Sequence, residues 1–119
     1  MATGGIMLTG TNVAGRHLLV VGLARSGVAA ARLLLRHGAR VSGVDARSLE
    51  ALGDDVRALA GEGVTLHAGD GRLAILDGVD ALVVSPGVPR SVPLVAEAAT
   101  RGLTILGELE LVARFSKAP

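Results

Sequence analysis

Apolar positions along this chain follow two alternating rhythms. Leu18 to Gly22 is an unbroken apolar run, too short for a helix and typical of a strand buried on both faces. Val41 to Asp45 reads as a second strand and Val64 to His67 as a weaker third. Ala81 to Val84, bounded by Asp80 and Ser85, is a fourth, and Leu103 to Leu106 a fifth. Between them the spacing turns helical. Gly27 to Arg36 carries Val28, Ala31, Leu34 and Leu35 at helical intervals, with Gly38 as its stop. Leu49 to Ala60 predicts an amphipathic helix, with Leu49, Leu52, Val56 and Leu59 on one face and Asp54, Asp55 and Arg57 off it. Arg72 to Leu76 predicts a helical turn. Pro93 to Arg101 predicts a helix capped by Ser91 and ended by Gly102. A final helix, Glu108 to Phe115, is expected to bury Leu109, Val112 and Phe115 and to leave Glu108 and Glu110 solvated or at an interface.

Strands alternating with helices call for a parallel sheet covered on both faces. Right-handed crossovers then give an α/β, doubly wound, five-stranded sheet in three layers, ordered 3-2-1-4-5. Residues 1–15 are expected to form a flexible Gly/Thr-rich leader and residues 16–119 a single domain.

Composition narrows the functional classes. A chain of 119 residues has room for one real core. It is 50% hydrophobic, mostly Ala, Leu and Val, and Phe115 is its one aromatic residue. A net charge of +1 with 19% charged residues excludes general disorder and a basic nucleic-acid footprint. Aromatic platforms for base stacking are absent as well. With no cysteine there is no disulfide framework, thiol nucleophile or thiolate-bound metal. His17, His37 and His67 have no ligand spacing, so no metal is expected. Without a bilayer-length apolar stretch or a signal-peptide pattern, the expectation is a cytoplasmic protein with neither a membrane nor a nucleic-acid partner.

Of the 12 basic residues, 11 are arginine and the other is Lys117. The body of the chain therefore lacks the lysine that a P-loop or a Schiff base requires. Thr9-Gly10-Thr11-Asn12 resembles a nucleotide loop but runs into Val13-Ala14-Gly15 with no lysine, so it is assigned to the leader.

Ligands of doubly wound sheets bind beyond the carboxyl ends of the strands, where strand order reverses. That rule selects three loops: Gly22-Leu23-Ala24-Arg25-Ser26-Gly27, Asp45-Ala46-Arg47 and Ser85-Pro86-Gly87-Val88-Pro89. The first spaces its outer glycines as in G-x-G-x-x-G, but the middle one is Ala24. Free amides at the following helix start suit a phosphate, and Ser26 adds a hydroxyl. Ala24 weakens a dinucleotide reading, because the second glycine is what admits a pyrophosphate to the backbone. A plain strand-to-helix turn also fits. Asp45 stands where an acidic residue can grip a ribose or a base N–H, or it is an ordinary strand-end residue. Arg47 can lie on a base, pair with a phosphate or point to solvent. Ser85 has no nucleophile elbow and no activating histidine. Pro86 and Pro89 stiffen that loop, as suits the wall of a cleft. No catalytic residue is expected.

Taken together, Val20-Val21-Gly22-Leu23-Ala24-Arg25-Ser26-Gly27, Val44-Asp45-Ala46-Arg47, Val84-Ser85-Pro86-Gly87-Val88-Pro89 and Ile105-Leu106-Gly107-Glu108-Leu109-Glu110-Leu111 carry a resemblance. In this order they resemble the N-terminal, Rossmann-like domain of the Mur ligase family, in its D-glutamate-adding branch. The resemblance runs from about residue 16 to the end.

It implies a domain that holds the UDP part of a muramyl substrate. Arg25 and Ser26 would meet the diphosphate within the Gly22–Gly27 turn. Asp45 would accept the uracil N–H, the Ala46 amide would meet a uracil carbonyl and Arg47 would cover the ring. Ser85, Pro86 and Gly87 would line the other side. Ala46 replaces the hydroxyl residue often found in the family, and Arg25 replaces a common apolar one. The family's ATP and Mg²⁺ chemistry belongs to central and C-terminal domains that would follow Pro119. The expectation is thus a cofactor-free, monomeric substrate-binding fragment, inactive alone, whose partners are the UDP-muramyl substrate and those domains. The competing expectation is an NAD(P)-binding domain of an oxidoreductase or regulator.

Overall fold

The computed structural model describes residues 12–116. Strands β1 (His17–Val21), β2 (Arg40–Asp45), β3 (Thr65–Ala68), β4 (Ala81–Val84) and β5 (Thr104–Gly107) form one parallel sheet in the order β3-β2-β1-β4-β5. The expected order is the observed one. β1 is central, with Leu18 beside Val41 on one flank and Ala81 on the other.

The apolar run of β1 is buried on both faces. Leu18 and Val20 join a core formed with helices α1 (Arg25–Arg36), α2 (Asp54–Gly61) and α4 (Glu108–Ser116). Leu19 and Val21 join a second core under α3 (Pro93–Thr100) and a 3-10 turn at Leu73–Leu76. Burying both faces removes any need for polar alternation, which is why the strand reads as a continuous apolar stretch.

Several expectations are revised. The Leu49-to-Ala60 helix is instead a 3-10 turn, Leu49–Ala51, an extended Leu52, and then α2. Gly53 disfavours a continuous helix, and Asp54 and Asp55 supply the negative charge a new N-terminus favours. Leu49, placed on the buried face by periodicity, is exposed. Ser91 does not cap α3: the cap position is Val92, without a side-chain bond, and Pro93 has no N–H to satisfy.

The largest revision concerns α4. Leu109 is 77% and Val112 49% exposed, whereas Glu108 and Leu111 are 3% and 1% exposed. Phe115 packs partly against the core, its ring 4.3 Å from that of His37. β5 passes into α4 with no intervening loop, and that direct entry turns the 108/111/115 stripe inward instead of the 109/112 stripe.

Of the expected leader, residues 1–11, including Thr9-Gly10-Thr11, lie outside the described residues, as does Lys117. Val13 is a core residue and the Gly15 N–H bonds to the Gly38 carbonyl, so the packed domain already includes residues 13–15. No helix among the described residues is long and apolar enough to cross a membrane.

Candidate functional site

Among the described residues, three of the four buried polar or charged ones stand at the carboxyl ends of strands. Asp45 ends β2, Ser85 follows β4 and Glu108 follows β5. Burying such groups is costly unless they are bonded, so this edge of the sheet is specialised relative to the rest of the core. A cleft of about 450 Å³ opens there, beyond β1, β2 and β4.

The turn after β1 is built by two close approaches. Gly22 has φ +95°, and a Cβ on it would lie 2.9 Å from Cβ of Ser85 and 3.0 Å from Val88. Only glycine combines that backbone with that proximity. Gly27 is needed for space: its Cβ would stand 2.1 Å from the Gly22 carbonyl oxygen. The two glycines let α1 start directly against the end of β1. The Gly22 amide donates to the Val44 carbonyl (2.9 Å) and the Leu23 amide to Asp45 Oδ2 (2.8 Å), so neither is open to a ligand. The first committed helical amide is Val28, donating to Ala24. Amides of the first turn lack a carbonyl four residues back, and α1 has neither a capping side chain nor an acidic first turn. Ala24, Arg25 and Ser26 are exposed at this positive helix end.

Asp45 is the electrostatic centre of the second loop. Its Oδ1 accepts from the Arg47 amide and Nε, both at 2.9 Å. Its Oδ2 accepts from the Leu23 amide and from an Arg47 terminal nitrogen at 3.0 Å. Four donors fill the lone pairs of the carboxylate. The Arg47 guanidinium, and then the two backbone amides, hold the Asp45 carboxyl down at about 2 despite its burial. Arg47 itself is half in solvent and remains displaceable.

The third loop is a turn closed by the Val88 amide on the Ser85 carbonyl (3.0 Å), with Pro86 at its second position. Gly87 lines the cleft, and a Cβ there would meet nothing of the protein.

Of the residues expected at the site, Gly22, Asp45, Ala46 and Gly87 line the cleft itself. Arg25, Ser26, Arg47 and Pro86 are exposed outside its lining, and Ser85 is buried behind it. Leu23 turns its side chain into the core beside Gly43. Gly27 is buried beneath the turn. Sequence reasoning missed Gly69, Asp70 and Gly71, which close the cleft from the end of β3, and Val92 and Leu94 from the start of α3. The first three were legible, because β3 flanks β2 and its carboxyl end obeys the same rule as the others. Glu108, expected in solvent or at an interface, is instead buried with both carboxylate oxygens unbonded. Among the described residues no cluster of His, Cys, Asp or Glu is arranged for a metal ion.

Comparison with known proteins separates fold from family. Among solved structures, a UDP-N-acetylmuramate:L-alanyl-gamma-D-glutamyl-meso-diaminopimelate ligase from Neisseria meningitides superposes with a TM-score of 0.68 at 21% identity, over 80% of this chain and 29% of that one. A dipicolinate synthase from Bacillus halodurans gives 0.61 at 22% identity, over 87% and 42%. At such identities these likenesses show the doubly wound fold alone. Sequence is more specific. The UDP-N-acetylmuramoylalanine–D-glutamate ligase of Acidobacterium capsulatum is 48% identical over 103 residues, 87% of this chain and 22% of that protein. Its counterpart in Anaeromyxobacter dehalogenans is 48% identical over 101 residues, 85% and 22%. The chain therefore spans under a quarter of the length of these relatives. These names favour the ligase reading over an NAD(P)-binding domain. The model of the Mur ligase MurD-like N-terminal domain matches residues 16–107, and the chain belongs to that family.

Proposed function

We propose that this chain is the substrate-anchoring domain of an ATP-dependent ligase that joins D-glutamate to UDP-N-acetylmuramoyl-L-alanine. The observation that carries the proposal is the cleft at the switch point of the sheet. Gly22 and Asp45 line it, and just beyond Gly22 the chain enters the uncapped head of α1, in a chain of this family. Helix-end amides with the Ser26 hydroxyl suit a diphosphate, and a strand-end carboxylate suits the N–H of a uracil. Gly22 and Leu23 serve by shaping the turn and orienting Asp45, since their own amides are committed.

Asp45 has no free lone pair while Arg47 lies on it. Uracil binding then exchanges the Arg47 guanidinium for the base N–H, freeing Arg47 to cover the ring. The Ala46 amide meets a uracil carbonyl, and Ser85, Pro86 and Gly87 form the opposite wall. Lysine is absent from residues 12–116, where the permanent positive charges are all arginine. Nothing there supplies the lysine that a P-loop directs at terminal phosphates. The reading thus assigns ATP, Mg²⁺ and the acyl-phosphate chemistry to other domains of the ligase, and the chain alone binds without catalysing, as a monomer in the cytoplasm.

Amide-resonance titrations with UDP, NAD⁺ and ATP, run separately, test the reading. The expected result is a response to UDP confined to residues 23–27, 45–47 and 85–88. A response to NAD⁺ without one to UDP sinks it.

A further inference from the structure

α4 is apolar on two sides. Its inner stripe includes Leu111 and Phe115, which pack against the core. Its outer stripe is Leu109, Val112 and Ala113, spaced i, i+3 and i+4, and all three are exposed, Leu109 to 77%. Among the described residues the exposed large hydrophobics are Leu49, Leu73, Leu109 and Val112. Leu49 and Leu73 stand singly on separate 3-10 turns, which is ordinary for a surface, whereas Leu109 and Val112 are neighbours on one helix face. Glu110 and Arg114, on the same helix, offset each other's charge across one turn at 3.7 Å. A helix that meets water on one side carries a single apolar stripe, and one that is apolar on two sides is covered on two sides.

What covers the outer side follows from where α4 lies. The model of the family's N-terminal domain ends its match at Gly107, and α4 begins at Glu108. The matched segment covers only 22% of the relatives, so in them an N-terminal domain is followed by a much larger remainder, and α4 stands at the junction. We propose that the face of α4 formed by Leu109, Val112 and Ala113 is the seat of the domain that follows in the ligase. The inference rests on the reading of the chain as one domain of a larger ligase. With Glu110 and Arg114 satisfied by each other, the face offers its partner apolar contact and no net charge, so the matching surface is apolar and uncharged. Apolar packing on both sides makes α4 a fixed joint, where a polar linker would leave the two domains free to move.

Hydroxyl-radical footprinting, read by mass spectrometry, compares the isolated chain with the full ligase polypeptide that carries it. Oxidation of Leu109 and Val112 is expected to be fast in the isolated chain and at least about fivefold slower in the full ligase, because the core of an interface packs as tightly as a protein interior. The protection is expected to persist at about 1 M salt, where charge contacts are screened. Equal rates in the isolated chain and the full ligase overturn the inference, and so does protection that salt removes. Protection already present in the isolated chain and lost on dilution assigns the face to a second copy, and overturns it too. UDP titration of the same full ligase is a separate readout. A UDP response without protection refutes the docking face alone, and protection without a UDP response refutes the uridine-diphosphate reading alone.

Discussion

Replacing Gly27 by alanine tests the join between β1 and α1. The added Cβ would lie 2.1 Å from the Gly22 carbonyl oxygen, over 1 Å inside normal contact. The obstacle is backbone, so no side-chain rotation relieves it. Gly22 is itself held by its amide bond to Val44 and by Ser85 and Val88 at its Cα. α1 must therefore retreat by about 1 Å from the sheet. Its inward residues, Gly27, Val28, Ala30, Ala31 and Leu34, are all buried. A gap of 0.5–1 Å forfeits roughly a quarter to a half of each dispersion contact along that seam. Summed over one helix face, we expect a loss of about 3 kcal/mol, in the range of severe core substitutions. For a domain of this size that lowers Tm by about 12–20 °C. Thermal unfolding followed by circular dichroism reads it directly. Gly87→Ala is the control, since its Cβ meets nothing, and its Tm should stay within about 3 °C of the parent. A Gly27→Ala variant that also unfolds within that margin refutes the close-approach reasoning.

Further outcomes follow from the structure. Asp45, held at about 2 when folded, contributes stability that is complete above its ordinary value near 4 and is lost as pH falls through about 2. Arg47→Ala should return the Asp45 carboxyl toward the ordinary range, seen by carbon NMR titration. No movement of the Asp45 titration in that variant would falsify the bidentate assignment. On α4, Leu111→Ala should cost about 2–4 kcal/mol in urea unfolding, and Leu109→Ser less than about 0.5 kcal/mol. Equal costs would show that the helix is turned the other way. Asp45→Ala should abolish the UDP response and, by stranding the Leu23 amide, destabilise the chain by about 1–3 kcal/mol. An undiminished UDP response in that variant would remove Asp45 from the site.

Strand identity and order were legible because a sheet buried on both faces leaves a local signature, seen in Leu18 to Val21 and Ala81 to Val84. Chirality then permits few arrangements of the helices between them. The positions of the cleft-forming loops were legible for the same reason, since topology alone says at which end of the sheet they gather. Helix faces were not. On α4 the 109/112 and 108/111/115 stripes are both continuous, and the choice depends on how β5 delivers the chain. Periodicity ranks Leu109 above Glu108 for burial, but the direct β5–α4 junction reverses that ranking.

The sequence by itself determined the architecture, the three loops and the residue types within them, because these rest on spacing and backbone preference. Only the tertiary structure decided which donors remain for a ligand. Gly22 and Leu23 are bonded inward, Asp45 is filled by Arg47, and Glu108 is carried under α1 with no partner. Hydrogen-bond partners and burial arise from contacts between segments far apart in the chain, which no local pattern encodes.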